Sequence, residues 1–172
     1  MRTDHAALIS DALPGAARHF TANTIGALRM RKEDGEYRTL KTNAQQADAA
    51  MKAAWAAIRP GMSELDVAQV ARETFGGMGA QTLFTIVGAG RNGAFPHHHT
   101  GETRLQAGDA VVMDIGAGFA GYSSDITRMA LIGDGPEGYA DIHDIVNRAV
   151  EAALAAARPG AAARLPVTVL IR

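Results

Sequence analysis

From Glu36 onward, apolar residues recur every three or four positions, at Tyr37, Leu40, Ala44, Ala47, Met51, Ala54, Trp55 and Ile58. That period places them on one stripe of a long amphipathic helix. The helix is expected to stop at Arg59, because Pro60 disfavours helical geometry in the residue before it and Gly61 supplies a break. Ser63 then caps a second helix, in which Leu65, Ala68, Ala71 and Phe75 share a face before Gly76 and Gly77 end it. Beyond this point the period changes. Short apolar runs at 83–87 and 110–115, parted by Gly-rich and polar connections, read as strands, and 122–132 resumes a strand-like pattern. A last helix is predicted from about 139 to 157, with Ile142, Ile145, Val146, Ala149, Ala153 and Leu154 inward and Pro159-Gly160 closing it. The fold class is therefore α+β. Residues 1–28 contain Pro14-Gly15 and only weak periodicity, so a linker or the remnant of a preceding domain is expected there.

Composition narrows the chemistry. A chain of 172 residues that is 47% apolar has enough core for one domain without crosslinks. It has no cysteine, so disulfides and thiolate metal sites are excluded, and any metal must be held by His, Asp or Glu. That suits a reducing cytoplasm, the expected location. Seventeen basic and eighteen acidic residues alternate in sign rather than gathering in blocks, which argues against nucleic acid as a partner. The opening residues include Arg2, Asp4 and His5, and no uninterrupted apolar run is long enough to cross a bilayer, so neither an export signal nor a membrane span is expected.

Asp114 sits inside the run Ala110-Val111-Val112-Met113-Asp114-Ile115, apolar on both strand faces, and is expected to be buried with a partner. A turn-rich connection from Gly116 to Gly121 leads into the next strand, which carries Asp125. A hairpin pivoting midway between Phe119 and Ala120 would set the two aspartates directly opposite each other. Their Cβ atoms would then be roughly 5 Å apart, where like charges repel. Bound cations remove that penalty, and paired carboxylates suit hard divalent ions acting on one water.

The residues from Gly108 to Ala117, continuing through Gly121-Tyr122-Ser123-Ser124-Asp125-Ile126-Thr127-Arg128, resemble the signature of the pita-bread metallopeptidases: proline aminopeptidases, proline dipeptidases and, more distantly, methionine aminopeptidases. Upstream, Phe84-Thr85-Ile86-Val87-Gly88 and Asn92-Gly93-Ala94-Phe95-Pro96-His97-His98 are similar to that family's strand and histidine loop, and Arg29 to Lys32 with Glu36 to its opening helix. The resemblance spans 29–160 and implies the first half of a pita-bread domain. It implies Asp114 and Asp125 as metal ligands and His97 as the histidine that contacts substrate and tetrahedral intermediate. Two divalent ions (manganese, cobalt, zinc or iron) would activate water for attack on a peptide with proline at the second position, and a homodimer is a possible assembly. The Pro96-His97-His98 loop is closer to the proline peptidases than to the methionine enzymes, and creatinase, which shares the fold, does not use these metals. His98 and His99 are expected to be satisfied or solvated rather than catalytic.

The family's second half would supply one further histidine and two glutamates. After Asp125 only His143, Glu137 and Glu151 remain, and these are expected on a solvated helix face. Residues 161–172 do not match and form a β-prone apolar tail, as in a truncation or an altered frame. Little or no peptidase activity is expected of this chain alone.

Two other readings compete. Gly88-Ala89-Gly90-Arg91-Asn92-Gly93 fits a dinucleotide-binding GxGxxG, but that fingerprint requires a helix to begin within it, and Ala94-Phe95-Pro96 follows instead. Ser123-Ser124 lacks the glycines of a nucleophile elbow. A non-catalytic binding or assembly half-domain stands as the alternative to an enzyme.

Overall fold

In the computed structural model the described residues are 3–17 and 24–161, and they form two compact units, Met1–Tyr37 and Arg38–Arg172. Most of the tail expected at 161–172 lies outside the described residues. In the first unit, α1 (Thr3–Ala12) and α2 (Thr24–Met30) stand where weak periodicity suggested a linker. Of the expected opening helix, Arg29 and Met30 end α2, Arg31 and Lys32 lie in a break, and Glu36 falls in the first turn of α3 (Asp34–Ala57). The Glu36 carboxylate accepts the Glu33 N–H at 2.8 Å, satisfying a donor at the helix entry.

In the second unit, α3 and α4 (Glu64–Gly77) cover one face of an antiparallel sheet made of β1 (Gln81–Ala89), β2 (Ala110–Phe119), β3 (Tyr122–Ser123) and β4 (Ile126–Leu131). β2 lies between β1 on one edge and the pair β3 and β4 on the other. Ser63 caps α4 as expected. Its hydroxyl accepts the Asp66 N–H at 3.1 Å, and Asp66 returns the bond to the Ser63 N–H at 2.8 Å, a reciprocal capping box.

The α3 stripe is rotated from its predicted line. Asn43, Ala47, Ala50, Met51 and Ala54 are buried, whereas Tyr37, Ala44 and Trp55 are exposed. Small residues let the helix lie close to the sheet, and the buried Asn43 amide donates to the Phe119 carbonyl at 3.2 Å, fixing the rotation.

Along the first part of β2 alternate residues are enclosed: Val111, Met113 and Ile115 are buried while Val112 and Asp114 are half-buried, and beyond Ile115 both Gly116 and Ala117 are buried. Asp114 is thus not buried as expected, because both helices lie on the other face of the strand. The last helix, α5 (Tyr139–Ala156), forms where predicted but has no buried residue; Ile142, Ile145, Val146 and Leu154 are more than half exposed. The inward assignment is therefore wrong: amphipathic period selects a face, and no described element covers this one. His143, Glu137 and Glu151 are exposed, as expected.

Candidate metal and peptide site

The turn after β2 decides where the aspartates stand. Ala120 (φ 50°) and Gly121 (φ 81°) both take left-handed conformations between the paired Phe119 and Tyr122, as a two-residue turn of the primed type requires. The pivot therefore falls between Ala120 and Gly121, one residue later than expected. Asp114 consequently faces Thr127, not Asp125. The Thr127 hydroxyl donates to Asp114 Oδ1 at 2.9 Å and orients that carboxylate. The later pivot displaces the pairing by two residues, and a two-residue displacement keeps side chains on the same face. Asp125 lies in the break between β3 and β4, and both aspartates line one open cavity of ≈ 560 Å³.

Gly116 makes that break possible. A Cβ there would lie 2.4 Å from Phe84 Cε1 and 2.5 Å from the Ser124 carbonyl oxygen. With no side chain in the way, the Phe84 ring crosses β2 and the Ser124 backbone folds in just before Asp125.

The opposite wall is the loop between β1 and β2. His97, His98 and His99 all line the cavity, with Phe84, Ile86 and Arg72 beside them. His97 is exposed at φ 55°, so the extended segment that would have aligned it with His99 does not exist. His98 is half-buried and satisfied: its Nε2 lies 2.9 Å from Glu64 Oε2. The stretch Gly90–Ala94 is a short 3-10 helix, so the α-helix required by a dinucleotide fingerprint is not there.

Glu64 escaped the sequence reading altogether. It is fully buried, and its carboxylate accepts from the Ala89 N–H (2.9 Å), Asn92 Nδ2 (2.8 Å), His98 Nε2 and the Gly101 N–H (3.0 Å). Burial pushes its carboxyl up, but the hydrogen bonds from Ala89, Asn92, His98 and Gly101 outweigh burial and hold it below the usual carboxylate range. The available signal, a glutamate directly after a helix cap, is also that of an ordinary solvated first turn. Thr127 was within the quoted signature without an assigned role, and Arg72 gave no signal at all.

The donors facing the cavity are carboxylate oxygens and imidazoles, which suit a divalent cation. Among the described residues, no group of three or more His, Cys, Asp or Glu is arranged to hold one. Asp114 and Asp125 thus bring two carboxylates to the cavity rather than a closed ligand set. No helix among the described residues is long and apolar enough to cross a membrane.

Residues 38–165 match metallopeptidase family M24. The chain is 35% identical over 161 residues to the probable dipeptidase PepE of Mycobacterium tuberculosis, covering 92% of this chain and 43% of that protein. It is 33% identical to the Xaa-Pro dipeptidase of Pyrococcus horikoshii, over 83% of this chain and 41% of the relative. Among solved structures, the X-Pro aminopeptidase of Thermotoga maritima superposes with a TM-score of 0.84 at 30% identity, over 99% of this chain and 49% of that one. Dipeptidase PepE of Mycobacterium ulcerans gives 0.85 at 36% identity, over 93% and 43%. The chain spans less than half the length of these relatives.

Proposed function

The chain belongs to metallopeptidase family M24, and from that premise we propose that it carries part of a metal-dependent peptidase site for peptides with proline at the second position. The observation that carries this reading is the single cavity lined by Asp114, Asp125 and His97. The names of the Pyrococcus and Thermotoga relatives support the Xaa-Pro preference.

In this reading Asp114 and Asp125 hold divalent ions, with manganese the proposed occupant because both ligands offer hard oxygens. When bound, such ions supply a water acidic enough to deprotonate near neutral pH and polarise the scissile carbonyl. The chain's own part is positional. Thr127 keeps the Asp114 carboxylate oriented through its hydroxyl, and His97, at the cavity wall, donates a hydrogen bond to the oxygen on which negative charge develops. Phe84 and Ile86 give the peptide an apolar floor. With two carboxylates facing the cavity among the described residues, metal affinity is expected to be modest and turnover by this chain at or near background.

Manganese titration followed by calorimetry tests the reading. The expected result is binding heat in the wild-type chain that is lost in Asp114→Asn and in Asp125→Asn; a wild-type chain that gives no heat overturns it. We extend the proposal to a cytoplasmic location, supported by the absence of cysteine. We extend it also to a homodimer, supported by the uncovered apolar face of α5; a single-chain mass in sedimentation excludes the dimer.

A further inference from the structure

We infer that Glu64 is the positioning residue of this site: from inside the core, its carboxylate clamps both ends of the loop that presents His97. The inference rests on the reading that His97 serves the cavity. Oε1 accepts the Ala89 N–H, where β1 ends, and the Asn92 amide. Oε2 accepts His98 Nε2 and the Gly101 N–H, where the loop returns. One side chain at 0% exposure thus ties down points 25, 28, 34 and 37 residues away in sequence.

His97 itself is exposed and takes a left-handed φ. It sits in a turn closed by the His98 N–H donating to the Phe95 carbonyl at 3.2 Å, and that same His98 is anchored by its side chain to Glu64. The clamp also selects a tautomer. An ionised carboxylate only accepts hydrogen bonds, so His98 must carry a proton on Nε2. A second and separate clip exists at Thr100, whose Oγ1 accepts the Val87 N–H at 2.8 Å and donates to the Thr85 carbonyl at 3.1 Å. It holds the loop to the free edge of β1 without involving either histidine.

Glu64→Gln preserves shape but turns one acceptor oxygen into an NH2 group. Placed as Oε2 is now, that group meets the His98 Nε2–H and the Gly101 N–H; placed as Oε1 is, it meets the Ala89 N–H and the Asn92 amide, so either orientation releases one end of the loop. Imidazole nitrogen NMR and amide relaxation on the full chain read this directly. In the wild type, His98 is expected as the Nε2–H form, and the His97 amide order parameter near the rigid value of about 0.85. In Glu64→Gln, the His97 order parameter is expected below about 0.6 and exchange at the Ala89 or the Gly101 amide at least roughly tenfold faster, with α3 amides unchanged. Thr100→Val should speed exchange at Val87 and leave the His98 tautomer alone.

Unchanged His97 order and unchanged Ala89 and Gly101 exchange in a folded Glu64→Gln chain overturn the inference, because a residue acting only on global stability would leave both intact below the melting temperature. If that variant does not fold, the wild type still decides: His98 found as Nδ1–H, or a Gly101 amide that exchanges freely, overturns the clamp. The metal reading fails separately, by the absence of manganese binding, and that failure leaves these measurements valid.

Discussion

Replacing Gly116 by alanine tests how the sheet shapes the cavity. The added Cβ would stand 2.4 and 2.6 Å from two carbons of the Phe84 ring and 2.5 Å from the Ser124 carbonyl oxygen, all well inside contact distance. The ring is the far end of a side chain and has room to swing. The carbonyl is backbone, and moving it moves Asp125. Overpacking of this kind costs about 1–3 kcal/mol. At about 2–4 °C per kcal/mol for a chain of this size, the melting temperature should fall by about 2–12 °C. Thermal melts of Gly116→Ala, Phe84→Ala and the double variant separate the two overlaps. Removing the ring should recover part of the loss, with a coupling of about 0.5–3 kcal/mol, while the carbonyl overlap persists. Manganese affinity, tied to Asp125, should stay reduced in the double variant. A Gly116→Ala chain that melts within about 1 °C of the wild type and binds manganese equally well would refute the idea that this glycine is needed for the break before Asp125.

Ser63→Ala removes the hydroxyl half of the capping box and should lower stability by about 1 kcal/mol, read as a shifted urea midpoint with an unchanged slope. Thr127→Val frees the Asp114 carboxylate; stability should stay within about 0.5 kcal/mol, as for other exposed substitutions, while calorimetry reads weaker manganese binding. Acid should weaken the fold. Asp66 is held low chiefly by accepting the Ser63 backbone N–H, and Glu64 by bonds that outweigh its burial, so both folded values lie below the unfolded ones of about 4. Their stabilisation is complete above that pH and is lost as pH falls through the folded values. Urea melts between pH 7 and pH 3 should therefore show a declining midpoint, and Glu64→Gln a flatter acid limb; equal acid slopes in both chains would contradict the assignment.

Most elements of the second unit were legible because each is encoded over a few residues, whereas α1 and α2, with weak periodicity, were not. The caps at Ser63, the helix periods of α3, α4 and α5, and the apolar runs of β1 and β2 all declare themselves within local windows. The signature around Asp114 and Asp125 was equally local, and so was the family to which it pointed. Contacts between distant segments were decided elsewhere. An alanine at φ 50° in the turn moved the hairpin pivot by one residue and put Thr127 opposite Asp114, because a turn's conformation, not the hydrophobic pattern alone, sets register. Period alone assigned an inward face to α5, but a stripe is buried only if another element arrives to cover it. Glu64 became meaningful only when folding brought its four donors around it: the sequence by itself determined the strongly periodic helices and strands and the family signature, while the tertiary structure decided which residues meet, since a buried charge acquires its role from partners that the chain delivers from far along its length.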